Sequence, residues 1–132
     1  EDQRELLALS DHAIVPLAFA QAYTGEADPA RAVAALAQNP RACTAVTDGP
    51  RGAWFIAGNG EVQHQPAFAV TAVDTTGCGD VFHGAYAAAI LHGRDIPAAN
   101  RFAAAAAALK ATKPGGQSGI PRREVVETLL AQ

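Results

Sequence analysis

Val73-Asp74-Thr75-Thr76-Gly77-Cys78-Gly79-Asp80-Val81-Phe82 runs from an apolar approach into a glycine-rich turn that opens directly into a helical pattern. Glycines on either side of Cys78 let the backbone come close to a ligand where a Cβ would interfere. The unpaired N–H groups of a first helical turn point outward at the positive end of the helix dipole. The stretch therefore reads as an anion site with Gly77, Cys78 and Gly79 as donors, and a phosphate is its natural occupant. A bare phosphate cradle does not call for a carboxylate, yet Asp80 stands in the first turn. Two readings of Asp80 stay open on these residues. It caps the helix, a position Asp favours, or it accepts the proton of an alcohol attacking a phosphoryl group while the N–H groups take up the developing charge.

Downstream, helical spacing predicts a helix over Asp80 to His92 ended by Gly93, and a second over Pro97 to Ala111 ended before Lys113-Pro114-Gly115-Gly116. A third starts at Pro121 and carries Val125, Val126, Leu129 and Leu130. The alanines from Ala103 to Ala108 predict a helix packed closely against a neighbour. Upstream the period is two, giving strands at Cys43 to Thr47, Ala53 to Ala57, Glu61 to Gln65 and Phe68 to Val73. Gly58-Asn59-Gly60 joins the middle two as a hairpin. Before these come a helix at Asp2 to Leu9, a strand at His12 to Val15 and a helix at Pro16 to Tyr23 stopped by Thr24-Gly25. A further helix is capped by Asp28, has Pro29 first, and runs to Asn39-Pro40. Alternating strands and helices predict a single α/β domain: a mostly parallel sheet with an antiparallel edge hairpin and helices on both faces.

The composition narrows the classes of function. Of 132 residues 49% are hydrophobic, enough for a core, and the formal net charge is -3. No basic patch suits nucleic acid, and no apolar run suits a bilayer crossing. A soluble, cytoplasmic protein is expected, with neither nucleic acid nor membrane among its partners. Cys43 and Cys78 lack the spacing of a disulfide scaffold or zinc site, and His12, His64, His83 and His92 are scattered. The absence of methionine, with Glu1 where an initiator would stand, leads us to expect a piece of a longer chain.

The wider stretch Asp74-Thr-Thr-Gly-Cys-Gly-Asp80-Val-Phe82-His-Gly84-Ala85 resembles the C-terminal signature of the ribokinase-like (phosphofructokinase-B, PfkB) carbohydrate kinases. That signature reads Asp-Thr-x-Gly-Ala-Gly-Asp-x-Phe-x-Gly-Ala, with Cys78 here in place of the middle alanine. Arg101-Phe102-Ala103, the run from Lys113 to Pro121, and Val46-Thr47-Asp48-Gly49 with Arg51-Gly52 resemble other parts of the same family. Within it, the phrases Leu9-Ser10-Asp11-His12, Gln63 to Phe68 and Ala108 to Gly116 look most like the sulfofructose kinases and neighbouring ketose kinases.

The resemblance implies a three-layer ribokinase-like fold of which residues 1–132 are the C-terminal, nucleotide-binding and catalytic part, the N-terminal half and lid lying elsewhere. It implies ATP-dependent phosphorylation of a sugar hydroxyl with Asp80 as base and Gly77, Cys78 and Gly79 as the anion hole. It places Thr47 and Gly49 near the nucleotide, the alternative for Thr47 being a hydroxyl that satisfies a strand end. It implies a potassium-like monovalent cation (K+) held by Asp74, Thr76 and the Ala111 to Gly116 loop, with Gly116 as a ligand; the alternative for Asp74 is a turn-stabilising side chain. The family's Asn-x-x-Glu motif is absent, Pro16-Leu17-Ala18-Phe19 standing in its place, so Mg2+ is expected to arrive with ATP. The implied partners are a sugar, the remaining half of the kinase and a second copy of the chain. The rival expectation is a noncatalytic nucleotide- or phosphate-binding module, or a truncated regulatory relative.

Overall fold

The computed structural model describes residues 2–132. The chain divides into two compact units, one formed by the chain up to Gly49 with Ala53–His64, the other by Pro50–Gly52 with Gln65–Gln132.

In the first unit, helix α1 (Asp2–Leu9) leads into strand β1 (His12–Pro16), helices α2 (Leu17–Thr24) and α3 (Pro29–Leu36), and strands β2 (Cys43–Thr47) and β3 (Ala53–Ala57). The short β4 (Gln63–Gln65) completes a sheet of order β1-β2-β3-β4. Helix α2 stops because Gly25 takes φ 78 and returns its N–H to the Gln21 carbonyl. Helix α3 starts where the Asp28 side chain accepts the Arg31 N–H at 2.9 Å, with Pro29 in the first turn. Such a cap contributes about 1 kcal/mol.

Strand β1 pairs parallel with β2, Val15 opposite Val46, whereas β2 pairs antiparallel with β3, Val46 opposite Trp54. The sheet is mixed, as the expected combination of parallel strands with an antiparallel hairpin requires, with an antiparallel pair at β2–β3 as well. The cause is the short connection from Thr47 to Ala53: a parallel return needs a crossover of about a dozen residues or more. The register puts Val15, Val46 and Trp54 on one face with Ala13, Thr44 and Ile56. Against it pack Leu17 and Ala20 of α2 and Ala32, Val33 and Leu36 of α3. Val33 and Val46 are fully buried, each contributing about 1.5–3 kcal/mol. On the opposite face Cys43, Ala45, Ala53 and Phe55 are buried as well.

The second unit holds helices α4 (Cys78–Leu91), α5 (Ile96–Ala111) and α6 (Arg123–Leu130). Asp95 caps α5 by accepting the Ala98 N–H at 2.9 Å. The buried alanines from Ala103 to Ala106 belong to α5, which packs against α4 on one side and α6 on another. Arg94 ties this corner together, ion-paired to Glu127 of α6 with its guanidinium 5.0 Å from the Phe102 ring centre. Phe68 to Val73, read from its alternation as a strand, is not one. It finds no strand to pair with among the described residues; instead the Val73 N–H donates to the Ala111 carbonyl at 2.7 Å. Helix α4 starts at Cys78, two residues before the expected Asp80, and α6 starts at Arg123 rather than Pro121. Among the described residues no helix is long and apolar enough to cross a membrane.

Gly52 marks the tightest backbone approach of the second unit. At φ 95, a Cβ there would lie 2.2 Å from the Gln65 carbonyl oxygen and 2.9 Å from the Ala67 nitrogen. Gly25 also has positive φ, but a Cβ there meets nothing within 4 Å. Gly25→Ala should therefore cost only the left-handed conformation, about 1–2 kcal/mol. Gly52→Ala adds a backbone clash of about 1–3 kcal/mol and should cost clearly more. Urea unfolding of both variants checks this, and equal losses would contradict it.

Candidate active site

Asp74 organises the signature loop. Its Oδ1 accepts the Thr76 N–H at 2.8 Å, closing a local turn, and its Oδ2 accepts the Gly115 N–H at 2.8 Å, reaching 41 residues along the chain. Its own N–H donates to the Ala111 carbonyl at 3.1 Å. Two loops, one before α4 and one after α5, are thereby fastened side by side. They meet again at Gly77, where φ is 76 and a Cβ would stand 3.3 Å from the Gly116 carbonyl oxygen. Only glycine meets both requirements without strain.

From Gly77 the chain enters α4, and the Val81 N–H makes the first helical bond to the Gly77 carbonyl at 2.9 Å. The Cys78 N–H turns inward and donates to the Thr75 carbonyl at 3.1 Å. Of the expected donors Gly77, Cys78 and Gly79, Cys78 is thus the one engaged within the turn. Within Gly77 to Asp80, the amides of Gly77, Gly79 and Asp80 have no acceptor among the described residues, and Gly79 and Asp80 are exposed. The Cys78 side chain lies toward α5, its thiol 3.6 Å from the Ala107 carbonyl, and burial pushes its pKa up. It fills space under the loop and is no activated nucleophile.

The Asp80 carboxylate is exposed at the mouth of a groove of about 680 Å³, beside Thr76, Gly77 and Gly116. Ala85, Ala88 and Phe102 line it farther in. His83 is held along the helix, its Nδ1 2.7 Å from the Gly79 carbonyl.

Asp74, Thr76 and Gly116 adjoin one another, and the Thr76 and Gly116 carbonyls accept no hydrogen bond among the described residues. A carboxylate with unpaired carbonyls is an oxygen-only donor set that fits a hard monovalent cation. Among the described residues no three His, Cys, Asp or Glu side chains cluster as metal ligands. Thr47 and Gly49 lie in the first unit. Thr47 ends β2 opposite Pro16 and Ala53, and Gly49, at φ 48, opens a short 3-10 turn.

One residue of this neighbourhood escaped sequence reasoning. Lys110, on the last turn of α5, is wholly buried and donates from Nζ to the Asp74 carbonyl at 2.8 Å. Its only sequence signal is a charge inside an alanine-rich helix.

Hydrogen bonds from Thr76, then from Gly115, bring the Asp74 pKa down from 3.8 to about 2. A depressed carboxyl stabilises the fold at pH above its unfolded value, and that contribution is lost as pH falls through the folded value. Following the Asp74 carboxyl carbon by NMR should give a midpoint near 2. A midpoint near 3.8 would show that the Thr76 and Gly115 bonds are not made in solution.

Residues 1–123 match the model of the pfkB family carbohydrate kinases. Ribokinase of Bacillus subtilis is 48% identical over 86 residues, which are 65% of this chain and 29% of that protein. The crystal structure of a putative ribokinase from Agrobacterium tumefaciens superposes with TM-score 0.89 at 34% identity, covering 97% of this chain and 42% of the other. A putative ribokinase II from Escherichia coli, crystallised with ATP and Mg2+, superposes with TM-score 0.86 at 29% identity over 98% of this chain and 42% of its own. The chain thus spans less than half the length of these relatives. Since the family match takes in both loops fastened by Asp74 as well as the helices that carry them, the chain belongs to the pfkB family of carbohydrate kinases.

Proposed function

We propose that this chain is the catalytic-base part of an ATP-dependent carbohydrate kinase that transfers the γ-phosphoryl group of ATP to a sugar hydroxyl. The observation that carries the reading is the exposed Asp80 carboxylate next to three amides that have no acceptor, Gly77, Gly79 and Asp80. The carboxylate accepts the proton of the attacking hydroxyl. The amides, at the positive end of α4, stabilise the charge on the transferred group's oxygens. The Asp74 bridge keeps amides and carboxylate in one orientation before substrate arrives, so little reorganisation remains for the reaction itself.

ATP and Mg2+ enter this reading through the Escherichia coli relative, whose structure holds both. When bound, Mg2+ neutralises phosphate charge; no residue here is assigned to it, because Pro16 to Phe19 offer no ligand. Asp74, Thr76 and Gly116 would hold a monovalent cation, which supplies positive charge beside the anion site. Thr47 and Gly49 are assigned to the nucleotide on their sequence resemblance. The relatives being more than twice as long, the remaining sugar contacts are assigned to residues outside this chain. The phrases Leu9 to His12 and Gln63 to Phe68 favour a ketose of the sulfofructose type as the sugar, which a panel of ketoses, pentoses and sulfosugars tests directly.

Asp80→Asn keeps the size and hydrogen-bonding reach of the side chain and removes the base. In the full-length enzyme it should lower kcat by about 10²–10⁴ while ATP affinity, measured by calorimetry, stays close to that of the parent. A variant phosphorylating sugar within a few-fold of the parent would remove Asp80 from this role. ATP binding by the parent with no phosphorylation of any sugar would instead identify a noncatalytic nucleotide-binding module.

A further inference from the structure

We propose that Lys110 is a positioning residue of the phosphate site: a tethered ammonium that, from inside α5, holds the signature turn in the shape that aims Asp80 and the free amides. The inference rests on the kinase reading above but goes beyond it, because no part of that reading uses Lys110.

Two observations converge on this side chain, and a third concerns the backbone around it. It is fully buried, in a helix whose neighbouring interior positions are filled almost entirely by alanine. Taking an ammonium out of water is costly, and alanine is the better helix former, so the charge needs a compensating interaction. The ammonium makes one hydrogen bond, 2.8 Å to the main-chain carbonyl of Asp74, among the described residues. Asp74 is the residue whose carboxylate fastens Thr76 and Gly115, so both its backbone and its side chain are held. Finally, Gly119 closes over the lysine. A Cβ there would lie 2.9 Å from the Lys110 carbonyl oxygen and 3.1 Å from Lys113 Cβ, which keep the position a glycine, and 3.6 Å from Lys110 Cγ, an ordinary packing contact with the stem.

The field of the ammonium also reaches the two groups that flank the turn. After the stronger effects of the Thr76 and Gly115 hydrogen bonds, it helps hold the Asp74 carboxyl low; at Cys78 it opposes the upward push of burial. Rotation of the Asp74 peptide would carry Thr75 with it, and Thr75 supplies the carbonyl that turns the Cys78 amide inward. Losing the ammonium thus frees a rotation that misaims the first turn of α4. Misplacement by about 1 Å at a reacting group costs on the order of 10²-fold in rate.

The decisive variants are Lys110→Met, which keeps the stem and drops the charge, and Lys110→Ala, which opens room for an added amine. In the full-length protein Lys110→Met should keep the parent's thermal melt within a few degrees and its sugar KM within about threefold, yet lose about 10- to 100-fold in kcat. Propylammonium should restore part of the kcat of Lys110→Ala, whereas tetramethylammonium at equal ionic strength should not. Amide hydrogen exchange at Thr76 and Gly115 should be faster in Lys110→Met, a readout that needs no activity. If the parent phosphorylates no sugar but exchange accelerates as stated, the kinase reading fails and the positioning role of Lys110 stands. Unchanged exchange at both amides, or a Lys110→Met enzyme with the parent's kcat, overturns the proposal.

Discussion

The Asp74 carboxylate is the tie that brings the two loops of the candidate site into one hydrogen-bonded unit. One oxygen closes the turn that leads into α4, and the other crosses 41 residues to the loop that follows α5. Remove that bridge and the Val73 and Asp74 N–H bonds to the Ala111 carbonyl, the Lys110 bond to the Asp74 carbonyl and the contact of Gly77 with Gly116 remain, but Gly115 is no longer tied to the turn. With it, Thr76, Gly77, Asp80 and Gly116 share one groove mouth. Each bond is charge-assisted, which makes it shorter and stronger than its neutral counterpart and keeps the carboxyl ionised far into acid. Chain directions on both sides of the bridge are then fixed by helices that pack through alanine, where close approach leaves little freedom to drift.

The helix start contributes the rest. Its positive end and unpaired amides follow from α-helix geometry and would appear at any exposed N-terminus. What is particular here is the assignment of each amide. Gly77, at positive φ, lets the chain turn sharply enough that the Cys78 amide is used internally while its neighbours stay outward. A carboxylate placed in that same turn would simply repel phosphate if its charge were all that mattered. In the proposed reaction its presence is intelligible, because a proton has to be taken from an alcohol at the moment of attack.

Much of this was legible in the residues. Asp28-Pro29 announced α3 by cap and ring chemistry, Gly25 announced the end of α2, and the glycines around Cys78 announced the turn before α4. The misses have physical causes. Period-two alternation in Phe68 to Val73 signals extended backbone but says nothing about a partner, and this segment hangs on the end of α5 instead. The mixed character of the sheet was expected from the hairpin; that β2 and β3 also pair antiparallel follows from a connection too short for a crossover. Sequence spacing does not reveal which amide of a turn is used within it, so the bond of the Cys78 N–H to the Thr75 carbonyl was visible only in the structure. Lys110 was overlooked because a lysine near a helix C-terminus is ordinarily solvated and favourable to the dipole, and only the packing shows it buried.

The account turns on which amides meet the phosphoryl group as charge builds on it. The most direct measurement is the amide NMR response of the full-length protein to ADP, aluminium fluoride and sugar, a mimic of the transferring phosphoryl group. Gly77, Gly79 and Asp80 should shift strongly downfield, with Cys78 changing little because its N–H is held by the Thr75 carbonyl. A dominant shift at Cys78, or none at Gly79 and Asp80, would contradict the account.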